Sequence, residues 1–276
     1  MREYVTVFLM LDSGAYSVWT SRTDVNLDDY CAFIREHSEQ IDAYVSLDVI
    51  PGVKGRAPSA KEVEASARRG WENLLYMRDV WQLDPIPVLH QGESFEWLDR
   101  MLQAKCSYIG LSPRIMGPTQ IKRRWLDTVW RRLVNDDGTP AVKTHGFGMN
   151  ALPLLFRYPW HTVDASTWIK RAIFGKILMP HTNKGTGDWD FSKVPRDVSV
   201  SEKSKAWRSD KYERHAGAEQ DQVVRWIEEC GETLKACRVS GRARCVVNAN
   251  FFKCVSNRDA GVHVFNPHAT ALFEAE

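Results

Sequence analysis

The chain has 276 residues, 43% of them hydrophobic and 26% charged, an ordinary globular composition that excludes a disordered chain. No uninterrupted apolar run approaches the roughly 20 residues that a membrane-spanning helix needs, so no membrane partner is expected. A formal net charge of +2 names no partner, because nucleic-acid binding needs a local basic face rather than an overall excess.

The first apolar run, residues 5–11, is short and stops at Asp12-Ser13-Gly14, with no small-residue cleavage site. It reads as a buried first strand and not as a signal peptide, and a cytoplasmic location is expected. The same pattern recurs along the chain. Residues 43–47 stop at Asp48, 86–89 at His90-Gln91-Gly92-Glu93, and 108–111 at Ser112-Pro113. Residues 141–143 lead to Thr144-His145-Gly146-Phe147-Gly148, and 162–163 to Asp164-Ala165-Ser166. Residues 173–179 and 244–252 are the last two strand candidates. Helical spacing lies between them, clearest over residues 59–81, where Ser59 and Glu62 form a capping-box pattern. Residues 93–103 and 119–134 are further helices, the second with Ile121, Trp125, Val129 and Leu133 on one side. Residues 218–239 are predicted as one helix, with Val223, Val224, Ile227 and Leu234 buried.

Strands alternating with helices predict parallel βαβ units. The expected fold is a single α/β domain over residues 1–276: a (β/α)8 TIM-like barrel with a C-terminal helical or strand segment, favoured over an open doubly wound sheet. Residues 181–217 are polar and read as a long loop or insertion. In such a barrel the active site lies at the C-terminal ends of the strands. Asp12, Asp48, His90, Gln91, Gly110, His145 and Asp164 fall there.

One strand-end aspartate reads as a turn or helix cap. Three on different strands predict a carboxylate-rich pocket, suited to displacement at a sugar carbon where one carboxylate attacks and another moves protons. His90-Gln91-Gly92-Glu93 carries imidazole and amide groups that can read the edge of a heterocycle, or it is a structural loop. Gly110 lets backbone approach a ligand closely. His145 in its glycine-rich run serves a backbone carbonyl as readily as a substrate. With no secretory signal, the six cysteines are expected as reduced thiols.

Taken in order, Asp12-Ser13-Gly14-Ala15-Tyr16-Ser17, Leu47-Asp48, His90-Gln91-Gly92, Tyr108-Ile109-Gly110-Leu111, His145-Gly146-Phe147-Gly148 and Val163-Asp164-Ala165-Ser166 resemble the tRNA-guanine transglycosylase superfamily. The closer likeness is to its shorter phage-type branch, thought to insert 7-deazaguanines into DNA. It spans about residues 5–175. The resemblance implies that Asp12 is the general acid/base and Asp164 the nucleophile. Asp48 and Gln91 would read the base, with backbone contacts from Gly110. Ser13, Gly14, His90, Leu111, His145 and Gly146 complete the implied substrate-binding set. Asp164-Ala165-Ser166-Thr167-Trp168 looks like the archaeal-type Asp-Ser-Ala-Ala-Tyr run, and Thr167 stands where the bacterial pattern has a second aspartate.

The implied reaction is a double displacement. Asp164 attacks C1′ and expels guanine, a 7-deazaguanine enters, Asp12 takes its N9 proton, and the glycosidic bond re-forms with retained configuration. Free 7-deazaguanine and nucleic acid are therefore the expected partners, with DNA favoured over tRNA and the host cytoplasm as location if the gene is a phage's. A homodimer or an accessory protein is left open. The superfamily's Cys-x-Cys-x-x-Cys zinc motif is absent. Cys230, Cys237, Cys245 and Cys254, with His263 and His268 beyond, have spacings unlike compact zinc sites, so no metal or cofactor is expected and an unconventional zinc site is the alternative. Nucleic-acid contact is expected from Lys122, Arg123, Arg124, Arg131 and Arg132, or from Lys235, Arg238, Arg242 and Arg244. Trp168 and Tyr16 are candidates to stack on a base. The alternatives are a tRNA-guanine transglycosylase, an enzyme that releases the base to water, and a catalytically silent barrel that binds nucleic acid or pairs with an active partner.

Overall fold

The computed structural model describes residues 8–21, 24–114, 117–204, 211–257 and 264–266. The chain divides into two compact units, Met1–Gly148 with Trp160–Val163 and Val264–Ala269, and Met149–Pro159 with Asp164–His263 and Thr270–Glu276. Residues 5–7 of the first apolar run, and His263 and His268, lie outside the described residues.

The first unit is built from short parallel strands: β1 (Met10–Leu11), β2 (Ala43–Tyr44), β3 (Val88–His90), β4 (Tyr108–Ser112), β5 (Lys143–Gly146) and β6 (Thr162–Val163). Each lies beside its neighbour in the chain. Met10 pairs with Ala43, Val88 with Gly110, Gly110 with His145, and His145 with Thr162, all in parallel ladders. β2 reaches β3 through a single parallel bridge, Val45 to Ile86, where the Ser46 N–H donates to the Ile86 carbonyl at 2.8 Å. Parallel neighbours need long crossovers, and helices occupy the first four. They are α1 (Ala15–Ser21) and α2 (Leu27–Glu36), then α3 (Ala60–Asp79), α4 (Phe95–Gln103) and α5 (Thr119–Leu133). Among the described residues no ladder closes these strands into a barrel.

The helices form for local reasons. Ser59 Oγ accepts the Glu62 N–H while Glu62 returns a carboxylate oxygen to the Ser59 N–H at 2.8 Å, a complete capping box at the start of α3. Ser94 caps α4, and Asn26 caps α2 by accepting from Asp28 and Asp29. Each helix then buries one face: Leu74 and Met77 of α3, Trp97, Leu98 and Met101 of α4, and Leu126, Val129, Trp130 and Leu133 of α5. No helix among the described residues is long and apolar enough to cross a membrane.

The second unit contains α6 (Leu152–Leu155), α7 (Thr167–Ile173), β7 (Lys176–Met179), β8 (His181–Thr182), β9 (Trp189–Asp190), β10 (Arg196–Ser199), α8 (Gly217–Glu229), α9 (Leu234–Val239) and α10 (Gly241–Asn257). The polar stretch 181–217 carries structure of its own. β8 and β9 form a small antiparallel pair, and β10 lies antiparallel to β7 with Arg196 opposite Met179. The helix predicted over residues 218–239 is two helices. Gly231, at φ +78°, donates its N–H to the Glu228 carbonyl while Glu232 donates to Ile227, which ends α8 in a Schellman turn.

Residues 244–252, predicted as a strand, lie inside α10. Its buried residues Ala243, Arg244, Val247, Asn248, Phe251 and Val255 recur at helical spacing. Two of them are polar, which hides the period from a hydrophobicity reading. Asn248 accepts the Leu178 N–H at 2.6 Å and donates to the Trp168 and Lys176 carbonyls, while Arg244 donates to Ala172 and Cys237. These bonds tie α10 to α7 and β7 around a core of Ile177, Met179, Val198, Trp226, Val247 and Phe251.

Ser59→Ala is expected to lower stability by about 1 kcal/mol through loss of the α3 cap. Urea denaturation with an unchanged m-value checks it.

Candidate functional site

Three successive strand ends of the first unit converge on Asp48. After β1, Gly14 takes φ +77° and its carbonyl accepts from Ser17 and Val18, which starts α1 and turns the Asp12-Ser13 backbone sharply. The Ser13 N–H donates to Asp12 Oδ1 at 2.8 Å, and Ser13 Oγ donates to Asp48 Oδ1 at 2.6 Å while accepting the Ala15 N–H. At the end of β3, His90 Nε2 lies 2.9 Å from Asp48 Oδ2. Each Asp48 oxygen thus holds one partner and keeps a further lone pair. Asp12 is exposed, whereas the Asp48 side chain is only 11% exposed.

Asp48 stands between two spaces. On one side is an open pocket of about 600 Å³, with Trp19, Asn73, Arg69, Ile50 and Val53 on its wall. Trp19 is held there by its indole N–H on the Gly52 carbonyl, and Asn73 by its amide on the Leu47 carbonyl. On the other side is a small cavity of about 20 Å³, walled by Ser46, Asp48, His90, Glu93, Trp97 and neighbours.

The electrostatics of this cluster are strongly perturbed. Burial by itself would lower the His90 pKa, but the hydrogen bond to Asp48 and the charges of Asp48 and Glu93 outweigh it and leave the pKa raised. Glu93 is 6% exposed and accepts the His90 N–H at 2.9 Å. Burial raises its pKa to about 7, with the charges of Asp48 and Glu64 adding and His90 opposing. Tyr30 donates its hydroxyl to the Val45 carbonyl, and burial, then the charges of Asp12 and Asp48, push its pKa far up, so it stays neutral. Sequence reasoning assigns Glu93, Tyr30 and Trp19 no role. The one local signal is the position of Glu93 three residues after His90 across a glycine, close enough to reach back to its N–H.

The remaining candidates fall in several places. Gln91 Oε1 accepts the Arg114 N–H at 2.9 Å, so the group it offers a ligand is its NH2. Gly110 donates its N–H to Pro87 at 2.8 Å, and a Cβ there would meet the Phe147 ring at 2.6 Å. The close approach at this glycine is therefore made by Phe147. Leu111 and Gly146 pair across β4 and β5 and are buried. His145 Nδ1 lies 2.7 Å from Thr162 Oγ1, which Tyr108 also reaches, and its ring stands edge-on to Phe147. Asp164 is exposed, directly after β6, and belongs to the second unit; there Thr167, at the start of α7, accepts from Asn150.

On α5, Arg124 and Arg131 are exposed, and burial lowers the pKa of the half-buried Lys122. Arg123 is half-buried. Arg132 stacks over Phe95 and pairs with Asp99 at 3.9 Å, so it is engaged within the unit. Arg244 is buried and bonded to backbone, which removes it from the second basic cluster, while the partly exposed Arg238 pairs with Glu213. All six cysteines are free thiols. Burial raises the Cys230 thiol to about 12, with Cys254, Glu229 and Cys237 adding, and the Cys237 thiol to about 11. Among the described residues no group of three or more His, Cys, Asp or Glu side chains is placed to hold a metal ion.

A carboxyl group with a raised folded pKa contributes stability below its unfolded pKa and loses it as pH rises through the folded value. Glu93→Gln, which mimics the protonated acid, is therefore expected to gain on wild type between pH 4.5 and about 7. The gain should level off at roughly 3 kcal/mol. Urea titrations at about pH 5 and about pH 8 check the sign. No protein-family model matches the chain, and no curated protein matches it.

Proposed function

We propose that this chain is a (β/α)8-barrel transglycosylase that exchanges guanine in a nucleic acid, DNA before tRNA, for a 7-deazaguanine. The observation that carries the reading is the Asp48 carboxylate, held by Ser13 and His90 at the edge of an open pocket with Asp12 on the adjoining strand end. Six parallel strands in chain order support the barrel. The pocket's size falls in the range of small-molecule sites.

A guanine-type ring presents two donors on one edge, N1–H and the exocyclic amine. The free lone pairs of Asp48 accept both, whereas adenine would aim its N1 lone pair at the carboxylate. The amide NH2 of Gln91 is a donor suited to the ring's O6. Asp164 then attacks C1′, the C1′–N9 bond breaks, and its electron pair leaves on guanine, which Asp12 protonates. The entering base gives its N9 proton to Asp12 and displaces the Asp164 ester, so two inversions retain the configuration. The oxocarbenium-like transition state is stabilised by the acidic surroundings. The target base must be unstacked or single-stranded, because a duplex shields C1′.

Exchange of labelled guanine into DNA and into tRNA tests the reading. Label should enter DNA, fall to background for Asp164→Ala, and drop by ~10²–10⁴-fold for Asp12→Asn. Entry only into tRNA would keep the chemistry and change the polymer. Release of free guanine without incorporation, or binding of nucleic acid without any exchange, would overturn it.

A further inference from the structure

The small cavity that Asp48 borders is lined in part by polar side chains. Its size admits one water molecule, and Ser46, Asp48, His90 and Glu93 face it. Ser46 is 2% exposed, and its hydroxyl has no hydrogen-bond partner among the described residues. Glu93 is placed here by its own turn. Its N–H donates to the His90 carbonyl at 3.1 Å, its carboxylate takes the His90 N–H, and Gly92 between them adopts φ +112°. One carboxylate oxygen is thus anchored on backbone beside the Asp48–His90 pair. Glu93 also borders an outer pocket shared with Glu64, Ser94 and Arg114.

We propose that Glu93 is the positioning residue of the Asp48–His90 pair: its charge, acting across the shared cavity, keeps the buried His90 imidazole protonated, and His90 in turn holds Asp48 toward the open pocket. A buried imidazolium needs compensating negative charge. Asp48 supplies one carboxylate but shares it with Ser13, and Glu93 is the second acid facing the same cavity. The other groups around Glu93 do not replace it. Glu64 of α3 is engaged with Arg68 at 3.2 Å and with the Trp97 indole, Arg114 is exposed, and Ser46, Ser66, Trp97 and Met101 are uncharged. With Glu93 titrating near neutrality, the grip on His90 tightens as pH rises, and the two groups titrate as a coupled pair. The coupling is independent of the proposed reaction, and only the identity of the ligand that Asp48 meets rests on that reading.

The experiment is a pH titration of the His90 ring nitrogens by NMR in the full chain, for wild type, Glu93→Gln and Glu93→Ala. Gln keeps a carbonyl oxygen for the His90 N–H and removes only the charge, so a purely structural role predicts rescue by Gln. The expected result is a downward shift of the His90 midpoint in Glu93→Gln, accompanied by weaker binding of free guanine in calorimetry above neutral pH. A His90 curve that superimposes on wild type in Glu93→Gln overturns the proposal. Wild type alone gives a second check that does not depend on the variants folding: the Glu93 carboxyl carbon and the His90 nitrogens should show each other's inflection. Independent single-site curves would also overturn it. A shifted His90 midpoint with no guanine binding in wild type would keep the coupling and remove the base-exchange reading.

Discussion

Asp48 accepts Ser13 Oγ on one carboxylate oxygen and His90 Nε2 on the other, and this shared acceptor orders the first unit's strand ends. A nearly buried carboxylate is tolerated only where charge-assisted hydrogen bonds replace water. Here the replacements come from the ends of β1 and β3, on either side of the strand that carries Asp48. The parallel register β1-β2-β3 therefore sets the geometry of the site, because a slip of one residue would turn Asp48 to the opposite face. The Gly14 turn follows Ser13 directly, and the His90–Glu93 turn returns the Glu93 carboxylate to the His90 N–H.

This arrangement divides labour between neighbouring acids. Asp12 is exposed and bonded to the Ser13 N–H, a position compatible with proton exchange. Asp48 is restrained by Ser13 on one carboxylate oxygen and by His90 on the other. Glu93 is buried and holds its proton to about neutral pH. Tyr30, pressed by burial and by two carboxylates, remains a neutral donor to the Val45 carbonyl beneath them. Burial is the main cause in both cases, because it penalises the charged form of either group.

The second unit uses buried polarity for a different purpose. Asn248 and Arg244 of α10 bond backbone groups of α7, β7 and α9. Removing either would leave carbonyls or N–H groups unsatisfied in a closely packed core, which costs more than the bonds contribute net. Their role is to fix where α10 lies against β7.

The local grammar of the chain is legible in its sequence. Apolar runs ending at Asp12, Asp48, His90 and Asp164 marked strand ends, and Ser59 with Glu62 marked the start of α3, because strand burial and helix capping depend on residues close in sequence. Gly231 and the strand content of residues 181–217 were harder, since a turn or an edge pairing is decided by few residues and by whichever strand is adjacent. α10 escapes a hydrophobicity pattern for a definite reason: Arg244 and Asn248 occupy buried positions in its stripe, and their partners lie in distant segments. The candidate site shows the same division. Sequence alone determined which residue types stand at the strand ends. Tertiary structure decided that Ser13 and His90, 35 and 42 residues from Asp48, share its two oxygens, that Phe147 covers Gly110, and that Glu93 is buried beside them. The physical reason is that a polar side chain's partners and charge state are set by what packs over it, and at this site the covering residues come from remote parts of the chain.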